Sequence, residues 1–456
     1  MSESSSSALY QAAEKIYPRE TSGTYSYLRW ASMFVLLGAY YAAAWLQWDD
    51  RQALLFDLPA RKFYVFGLVL FPQDFFFLSW LLIIAALSLF FFTALAGRVW
   101  CGYACPQTVW TEAFLWMERI AEGKGSARRK LDQSAWTATK IRRKFNKQFL
   151  WIAFALWTGF TFVGYFTPIR ELAAKVMSFS LGPWETFWIL FYGFATYGNA
   201  GFMREQVCKY MCPYARFQSA MFDRDSLIIS YDTGRGEPRG SRRREDDFAA
   251  KGLGSCIDCT LCVQVCPTGI DIRKGLQYEC IACAACIDAC DSVMDKMNYP
   301  RGLIRYSTQK AMDGQKTRVL RPRILVYGSL LMLLCLGFVA ALVMRTPVEL
   351  DVIRDRNALY RESRPGYIEN VYLLRVINKG EMSYIFDIEA AGLPTIQIET
   401  DPATIEVAGG EVATVAARIL IEDGAAASGG HDVDITLQAT DAPEISTTET
   451  GRFISP

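Results

Sequence analysis

The chain has 456 residues, of which 52% are hydrophobic, 14% aromatic and 21% charged. It is too long for one compact core and too apolar for an ordinary soluble protein, so two or three domains with membrane segments are expected. A net charge of +1 gives no basis for a nucleic-acid partner, and a single histidine, His431, excludes a metal site built mainly on imidazole.

Residues 1–27 are Ser-rich and polar, lack the layout of a signal peptide, and read as a flexible cytoplasmic tail. Five apolar runs of spanning length follow: Leu28–Trp48, Phe75–Gly97, Phe149–Thr167, Trp184–Met203 and Ile324–Met344. A shorter run, Phe63–Phe71, is ended by Pro72 and reads as a re-entrant or interfacial piece. The connection Arg98–Lys147 holds eleven basic residues, among them Arg128, Arg129, Lys130, Arg142, Arg143 and Lys144, whereas Pro168–Pro183 holds only Arg170 and Lys175. The positive-inside rule then places the N-terminus and residues 204–323 in the cytoplasm and the C-terminus outside. The basic runs read as orientation signals lying against anionic lipid.

The first four runs make a four-helix transmembrane domain, 28–231. Gly, Pro and charge mark 232–255 as a linker. A cysteine-rich cytoplasmic domain, 256–322, precedes the fifth span, 323–345. Residues 346–456 alternate polar with apolar residues in segments such as Tyr367–Val376, Tyr384–Glu389, Thr395–Thr400, Glu411–Ile421 and Asp432–Ala439, the pattern of a β-sandwich. It holds no cysteine, and a docking role is expected there rather than chemistry.

Twelve of the thirteen cysteines fall in short-spaced groups; Cys335 stands alone in a span and reads as packing. Cys256, Cys259, Cys262 and Cys266, followed by Pro267, make the C-x-x-C-x-x-C-x-x-x-C-P run of bacterial ferredoxins, and Cys280, Cys283, Cys286 and Cys290 repeat the spacing. Three thiolates two residues apart wrap one cubane, and the fourth reaches the other. Crossed ligation puts Cys256, Cys259, Cys262 and Cys290 on one [4Fe–4S] cluster and Cys280, Cys283, Cys286 and Cys266 on the second. Zinc sites pair two C-x-x-C units across a longer gap, which this pattern lacks. Asp291 stands where the ferredoxin pattern has proline, adding a negative charge near the first cluster.

An internal repeat closes each helical pair: Cys101-Gly-Tyr-Ala-Cys105-Pro106 and Cys208-Lys-Tyr-Met-Cys212-Pro213. If each pair is helical, its two thiols share a face one turn apart, and four thiolates converge at the cytoplasmic boundary. Thiolates favour Cu(I). A third iron–sulfur cluster, a redox disulfide in each pair and simple buried cysteines are the alternatives.

With both C-x-x-x-C-P pairs, Phe71-Pro72-Gln73-Asp74-Phe75, Asp223-Arg224-Asp225, Ile228-Ile229-Ser230-Tyr231-Asp232, Arg235-Gly236-Glu237-Pro238-Arg239-Gly240 and a double cluster run ending Cys290-Asp291, the chain resembles cytochrome oxidase accessory proteins of the CcoG/FixG (RdxA) type over nearly its whole length. The resemblance implies a membrane all-α protein of about five helices with an inserted α+β two-[4Fe–4S] ferredoxin-like domain and a C-terminal Ig-like sandwich. It further implies a multi-pass, dimeric architecture in the bacterial inner membrane and a cupric reductase, with copper as substrate, that supplies Cu(I) for assembly of cbb-type haem–copper oxidase. Cys101, Cys105, Cys208 and Cys212 would then be the reducing site. A cytoplasmic electron donor, a copper transporter or chaperone and oxidase assembly factors would be its partners. Two competing readings stand beside it: an electron-transfer subunit akin to membrane quinol dehydrogenases, and an assembly scaffold whose clusters are structural.

Overall fold

The computed structural model describes residues 15–245, 252–355, 358–380, 382–402 and 404–456. The chain divides into two compact units, one made of Met1–Ala44, Leu82–Tyr165 and Ile169–Leu334, the other of Trp45–Leu81, Phe166–Pro168 and Cys335–Pro456.

In the first unit, helix Thr24–Ala43 packs with Pro106–Glu122, Ala138–Val163 and Pro183–Thr196 around Phe114 and Trp151, whose indole N–H donates to the Phe114 carbonyl at 3.0 Å. Close approach of the last two helices needs a glycine: a Cβ on Gly159 would lie 2.3 Å from the Ile189 carbonyl oxygen. The helix Pro183–Thr196 continues as a π-helical segment, Tyr197–Met203.

Two helices, Pro72–Ala96 and Pro322–Val343, are long and apolar enough to cross a membrane, with mean hydropathy 2.5 and 2.4. The other three expected spans are also helical. The first starts at Thr24 rather than Leu28, the third is the apolar end of Ala138–Val163, and the fourth is the α-to-π helix just described.

Three expectations change in this unit. Residues 15–27 are not a free tail: the Arg19 amide donates to the Gln264 carbonyl and the Tyr17 hydroxyl to Asp132; residues 1–14 lie outside the described residues. The stretch read as a linker, 232–255, begins by packing on the module it precedes. The amides of Ser255 and Cys256 donate to the carbonyls of Arg235 and Gly236, and strand Ile228–Tyr231 pairs antiparallel with Ile304–Ser307. Its Gly and Pro serve close packing, since a Cβ on Gly254 would sit 2.4 Å from the Gly236 carbonyl carbon. Finally, several basic residues taken as lipid-facing are consumed internally. Glu118 holds Arg128 at 2.5 Å and Arg204 at 3.0 Å, Glu122 holds Lys144 at 2.9 Å and Lys147 at 3.0 Å, and Asp132 holds Lys15 at 2.8 Å. Neighbouring helices supply the acids, so buried cations are paired as their desolvation requires. Arg129, Arg142 and Arg143 remain exposed.

In the second unit, the 63–71 run is not a membrane piece but part of an antiparallel meander: Leu54–Asp57, Lys62–Val65 and Leu68–Leu70. Its apolar residues are short, alternating and turn-broken, and Val69 and Phe71 bury against Ile377. Residues 348–455 form a two-sheet sandwich. One sheet runs in the order Gln397–Asp401, Val412–Glu422, Tyr367–Asn378, Val348–Arg354, with Arg361–Arg364 also on Tyr367–Asn378. The other runs Ile405–Val407, Tyr384–Ala391, Gly429–Ala439, Ser446–Ser455. Alternate residues such as Tyr372, Leu374 and Val376 from one, and Val433, Ile435 and Leu437 from the other, meet in one core. Asp74 accepts from the Phe71 amide at 3.0 Å and pairs with Arg345 at 2.6 Å and Lys379 at 2.9 Å, so the Phe-Pro-Gln-Asp motif ties a helix start to the sandwich.

Candidate functional site

Each cysteine run is shaped by the same two backbone reversals. Asp258 and Thr260 flank Cys259, and Ala282 and Ala284 flank Cys283, all at φ between 54 and 59°. Left-handed backbone at non-glycine residues costs roughly 1 kcal/mol each. The repeated pair curls the chain around a point and turns successive amides inward, as a concave anion site requires. After the second reversal a helix begins in each run, Leu261–Gln264 and Ala285–Met297.

The longer helix carries Cys286 and Cys290 one turn apart and places them in different cavities. Cys290 joins Cys256, Cys259 and Cys262 around one cavity, whose walls include Val293, Leu303 and Ile304. Cys286 joins Cys280, Cys283 and Cys266 around another, which Cys262 also borders. The first lining holds the four thiols of one expected set, and the second holds the other four together with Cys262. The residues fit [4Fe–4S] cubanes: at least four thiols line each cavity, the walls are mostly apolar and the backbone curls inward. Burial pushes the Cys290 and Cys280 thiols up to about 12 and the Cys262 thiol to about 11, the nearby Arg273 opposing the rise at Cys262. Ligation must therefore displace protons here.

Asp291 has a structural reason. It lies inside Ala285–Met297, where proline would break the helix, and its carboxylate accepts from the Gly302 amide at 2.9 Å. Its charge also acts on Cys290, which agrees with the expected negative charge beside the first set.

The two C-x-x-x-C-P pairs are not i, i+4 positions of one helix, which corrects the sequence reading. Cys101 lies in the short helix Val99–Tyr103, but Cys105 is extended at φ −59°, ψ 128° and precedes helix Pro106–Glu122. Cys208 lies in the π-turn Val207–Met211, and Cys212, at φ −78°, ψ 109°, precedes helix Pro213–Met221. The proline is the cause: it excludes helical backbone from the residue before it and starts the next helix at its first position. The second cysteine of each pair thus caps a helix N-terminus. The Gln107 and Thr108 amides there oppose the rise that burial imposes on the Cys105 thiol.

The four thiols lie near enough to act on one another electrostatically. Burial, then the Cys105 thiol, pushes Cys101 up to about 12 against the pull of Arg98, and Cys208 and Cys212 add to the rise. Burial, then Cys105 and Cys212, likewise push Cys208 up to about 11. Cys101 Sγ donates to Gln218 Oε1 at 3.2 Å. Among the described residues no three His, Cys, Asp or Glu side chains are gathered tightly enough to hold a single ion.

This quartet adjoins the second cysteine cavity. A Cβ on Gly102 would lie 2.7 Å from the Ala282 carbonyl oxygen and 2.9 Å from that of Ile281, so the first pair lies flat on the loop carrying Cys283. Cys101 packs with Ile281, Cys283 and Ala285. Cys208 and Cys283 line one cavity together with Arg29, Gln107 and Glu112. Buried Arg98 donates to the carbonyls of Tyr278, Cys280 and Ala215. Asp288, between Cys286 and Cys290, accepts from the Tyr25 amide at 3.2 Å and the Ser26 amide at 2.6 Å and so caps the first helix from outside it. Sequence reasoning missed Arg98, Gly102, Gln218 and Asp288. Only Gly102 carried a signal, as the position where the two repeats differ most in size.

Fold and site together define a dicluster iron–sulfur oxidoreductase that carries an Ig-like β-domain and helices suited to a membrane. Family models agree: a 4Fe-4S dicluster domain over residues 203–309, a 4Fe-4S binding domain over 78–124, and the Ig-like fold at the C-terminus of FixG over 338–456. The chain is 38% identical to the nitrogen fixation protein FixG of Rhizobium meliloti, covering 88% of this chain and 82% of that protein. It is 39% identical to protein RdxB of Cereibacter sphaeroides, covering 95% and 94%, and 41% identical to protein RdxA of the same organism, covering 82% and 81%. A crystal structure of a FixG-related protein from Vibrio parahaemolyticus matches 24% of this chain and 96% of its own at 29% identity, with a TM-score of 0.22. The chain belongs to the FixG/RdxA/RdxB family.

Proposed function

We propose that the protein is an inner-membrane cupric reductase that reduces Cu(II) to Cu(I) for assembly of cbb-type haem–copper oxidase. In this reading Cys256, Cys259, Cys262 and Cys290 hold one [4Fe–4S] cluster and Cys280, Cys283, Cys286 and Cys266 the other. Bound there, such clusters supply one-electron transfer. The chain crosses the membrane five times, keeps both cluster sites in the cytoplasm, places the β-domain outside and works as a homodimer. It takes electrons from a cytoplasmic donor and hands copper to a transporter, chaperone or oxidase assembly factor.

The observation that carries the reading is the seating of Gly102 on the Ile281 and Ala282 carbonyls, which sets the four-thiol group against the loop that bears Cys283. The chain's own residues have clear parts. In this reading Cys101, Cys105, Cys208 and Cys212 receive the copper ion by drawing closer than the described structure holds them. Because thiolates hold Cu(I) better than Cu(II), binding itself favours the reduced product. Each Cu(II) accepts one electron and leaves as Cu(I). Asp288 and Arg98 keep the helix ends fixed against the cysteine loops, which holds the transfer distance constant.

The test is anaerobic oxidation of the dithionite-reduced protein by Cu(II), compared with a variant carrying serine at 101, 105, 208 and 212. Loss of the fast phase in the variant is expected; equal rates would overturn the thiol role. The 4Fe-4S binding domain match over 78–124 contains Cys101 and Cys105, which favours a second reading, a third cluster on the quartet. Iron analysis separates them: about eight irons per chain for two clusters, about twelve for three.

A further inference from the structure

A second cavity in the first unit, distinct from those lined by cysteines, has a volume of about 270 Å³ and is open on one side. That is near the lower bound of roughly 300 Å³ for small-molecule sites, enough for one substituted ring. Its walls are the rings of Tyr40, Trp110, Phe162 and Tyr192, with Thr196 and Asn199 at its edge. The rings are already set against one another, Tyr40 edge-on to Trp110 at 5.3 Å and Phe162 against Tyr192 at 3.8 Å between centroids. The polar atoms are not spent. Among the described residues neither the Tyr192 hydroxyl, the Thr196 hydroxyl nor the Asn199 amide has a hydrogen-bond partner.

The backbone here is unusual in a directed way. Asn199 sits in the π-helical segment Tyr197–Met203, the kind of widened turn that concentrates at functional sites. Arg204 closes the segment at φ +41°, its amide on the Asn199 carbonyl at 2.7 Å and its guanidinium on Gly201 and Glu118. Gln107 donates to the carbonyls of Asn199 and Arg204 at 2.9 and 3.1 Å. Gln107 borders this cavity and also the one lined by Cys208 and Cys283. Gln107 is therefore a wall residue common to the aromatic cavity and to the one that Cys208 and Cys283 line.

We infer that this cavity binds the ring of a membrane quinol and is a second point of electron entry, beside the cytoplasmic donor of the proposed function. A fatty-acyl chain would leave the three polar groups unpaired, whereas an aromatic ring bearing two oxygens stacks on the walls and bonds to the edge. Quinol leaves as quinone, having lost two electrons and two protons. Clusters held by the two cysteine sets would accept the electrons one at a time, and the protons pass to the polar cavity beyond Gln107, whose wall carries Glu112 and Glu205. The inference rests on the reading of the cysteine cavities as electron carriers, but not on copper.

The test uses the full chain in lipid nanodiscs with two readouts. A short-tailed azido-quinone is photolysed on the protein and the label mapped. Labelling within residues 192–200, competed by decyl-ubiquinone and not by added phospholipid, is expected; labelling elsewhere, or competition by phospholipid alone, overturns the site. Dithionite-reduced protein is then mixed anaerobically with decyl-ubiquinone, which runs the same exchange in reverse. Asn199→Leu and, as a milder variant that keeps every ring, Thr196→Val should slow the reaction about tenfold and about threefold, as expected for lost hydrogen bonds. Their iron content and their reaction with Cu(II) should stay unchanged. Wild-type rates in both variants overturn the proposal. Quinone exchange that persists while the wild type fails to reduce Cu(II) sinks the copper reading and leaves this one standing.

Discussion

In the first Cys-x-x-x-Cys-Pro segment, residues 99–103 close an α-helical turn and Gly102 rests on the carbonyls of Ile281 and Ala282. Tyr103 is held on both sides, its carbonyl by the Ser32 hydroxyl at 2.6 Å and its own hydroxyl near that of Tyr306 at 3.3 Å. In the second segment, residues 207–211 form a wider π-turn with no buried residue, Lys209 stands where the first has Gly102, and Tyr210 and Met211 are 59% and 55% exposed. The following helices differ too. Pro106–Glu122 carries Glu118 and Glu122 into a buried ion-pair network, whereas Pro213–Met221 has no acidic residue. Two copies of one motif have thus become a fixed wall and an open one. The difference teaches that the spacing of the prolines and cysteines preserves thiol placement at the helix starts, while the residues between them decide what each copy packs against.

Breaking the fixed side should cost most. Glu118→Ala strands Arg128 and Arg204, both buried, and is expected to lower stability by about 3–5 kcal/mol, read as a fall in unfolding temperature in detergent. Burial raises the Glu118 carboxyl, but Arg204, Arg128 and Lys147 outweigh it and hold it below the usual range. Its contribution is therefore present above about pH 4.3 and lost as pH falls through the lowered folded value. Acid sensitivity in that window should shrink in Glu118→Gln; an unchanged pH profile would argue against the network.

Gly102→Ala drives a methyl against the Ala282 carbonyl and should cost about 1–3 kcal/mol. Iron analysis should show the second set failing selectively, from about eight irons toward about four. Full iron content would mean that the loop yields without consequence. Asp288→Ala removes the cap of helix Thr24–Ala43 and should cost about 1 kcal/mol, with Asp288→Asn recovering most of it. Hydrogen exchange at Tyr25 and Ser26 reports it directly. The smallest effect belongs to the open side: Lys209→Gly should change stability by less than about 1 kcal/mol and leave iron unchanged. A larger loss there than at Gly102 would reverse the comparison.

Much of this architecture is legible in the chain alone. The β-sandwich strands follow from period-two alternation, and strand Val412–Glu422 falls within a residue of its expected limits. The cysteine sets follow because three thiols two residues apart can surround only one small body, and the fourth, a helical turn on, reaches the next. Periodicity failed where context overrode it. Phe63–Phe71 is apolar enough for lipid but turns too often, and it settles as strands against Ile377. Residues 232–255 look like a linker by composition, yet Gly236 and Gly254 are there for close contact.

The sequence by itself therefore determined which residues could hold metal, because ligand chemistry and short spacing are local properties. It also marked where each helix after a cysteine pair begins, because Pro106 and Pro213 constrain the residue before them. Only the tertiary structure decided that Cys105 and Cys212 leave the helix, that Gly102 seats the first cysteine pair on the Cys283 loop, that Asp288 caps a helix 262 residues earlier in the chain, and that four rings line an open cavity beside Gln107. Those outcomes depend on segments far apart in the chain meeting at van der Waals distance, and no local pattern encodes a partner's position.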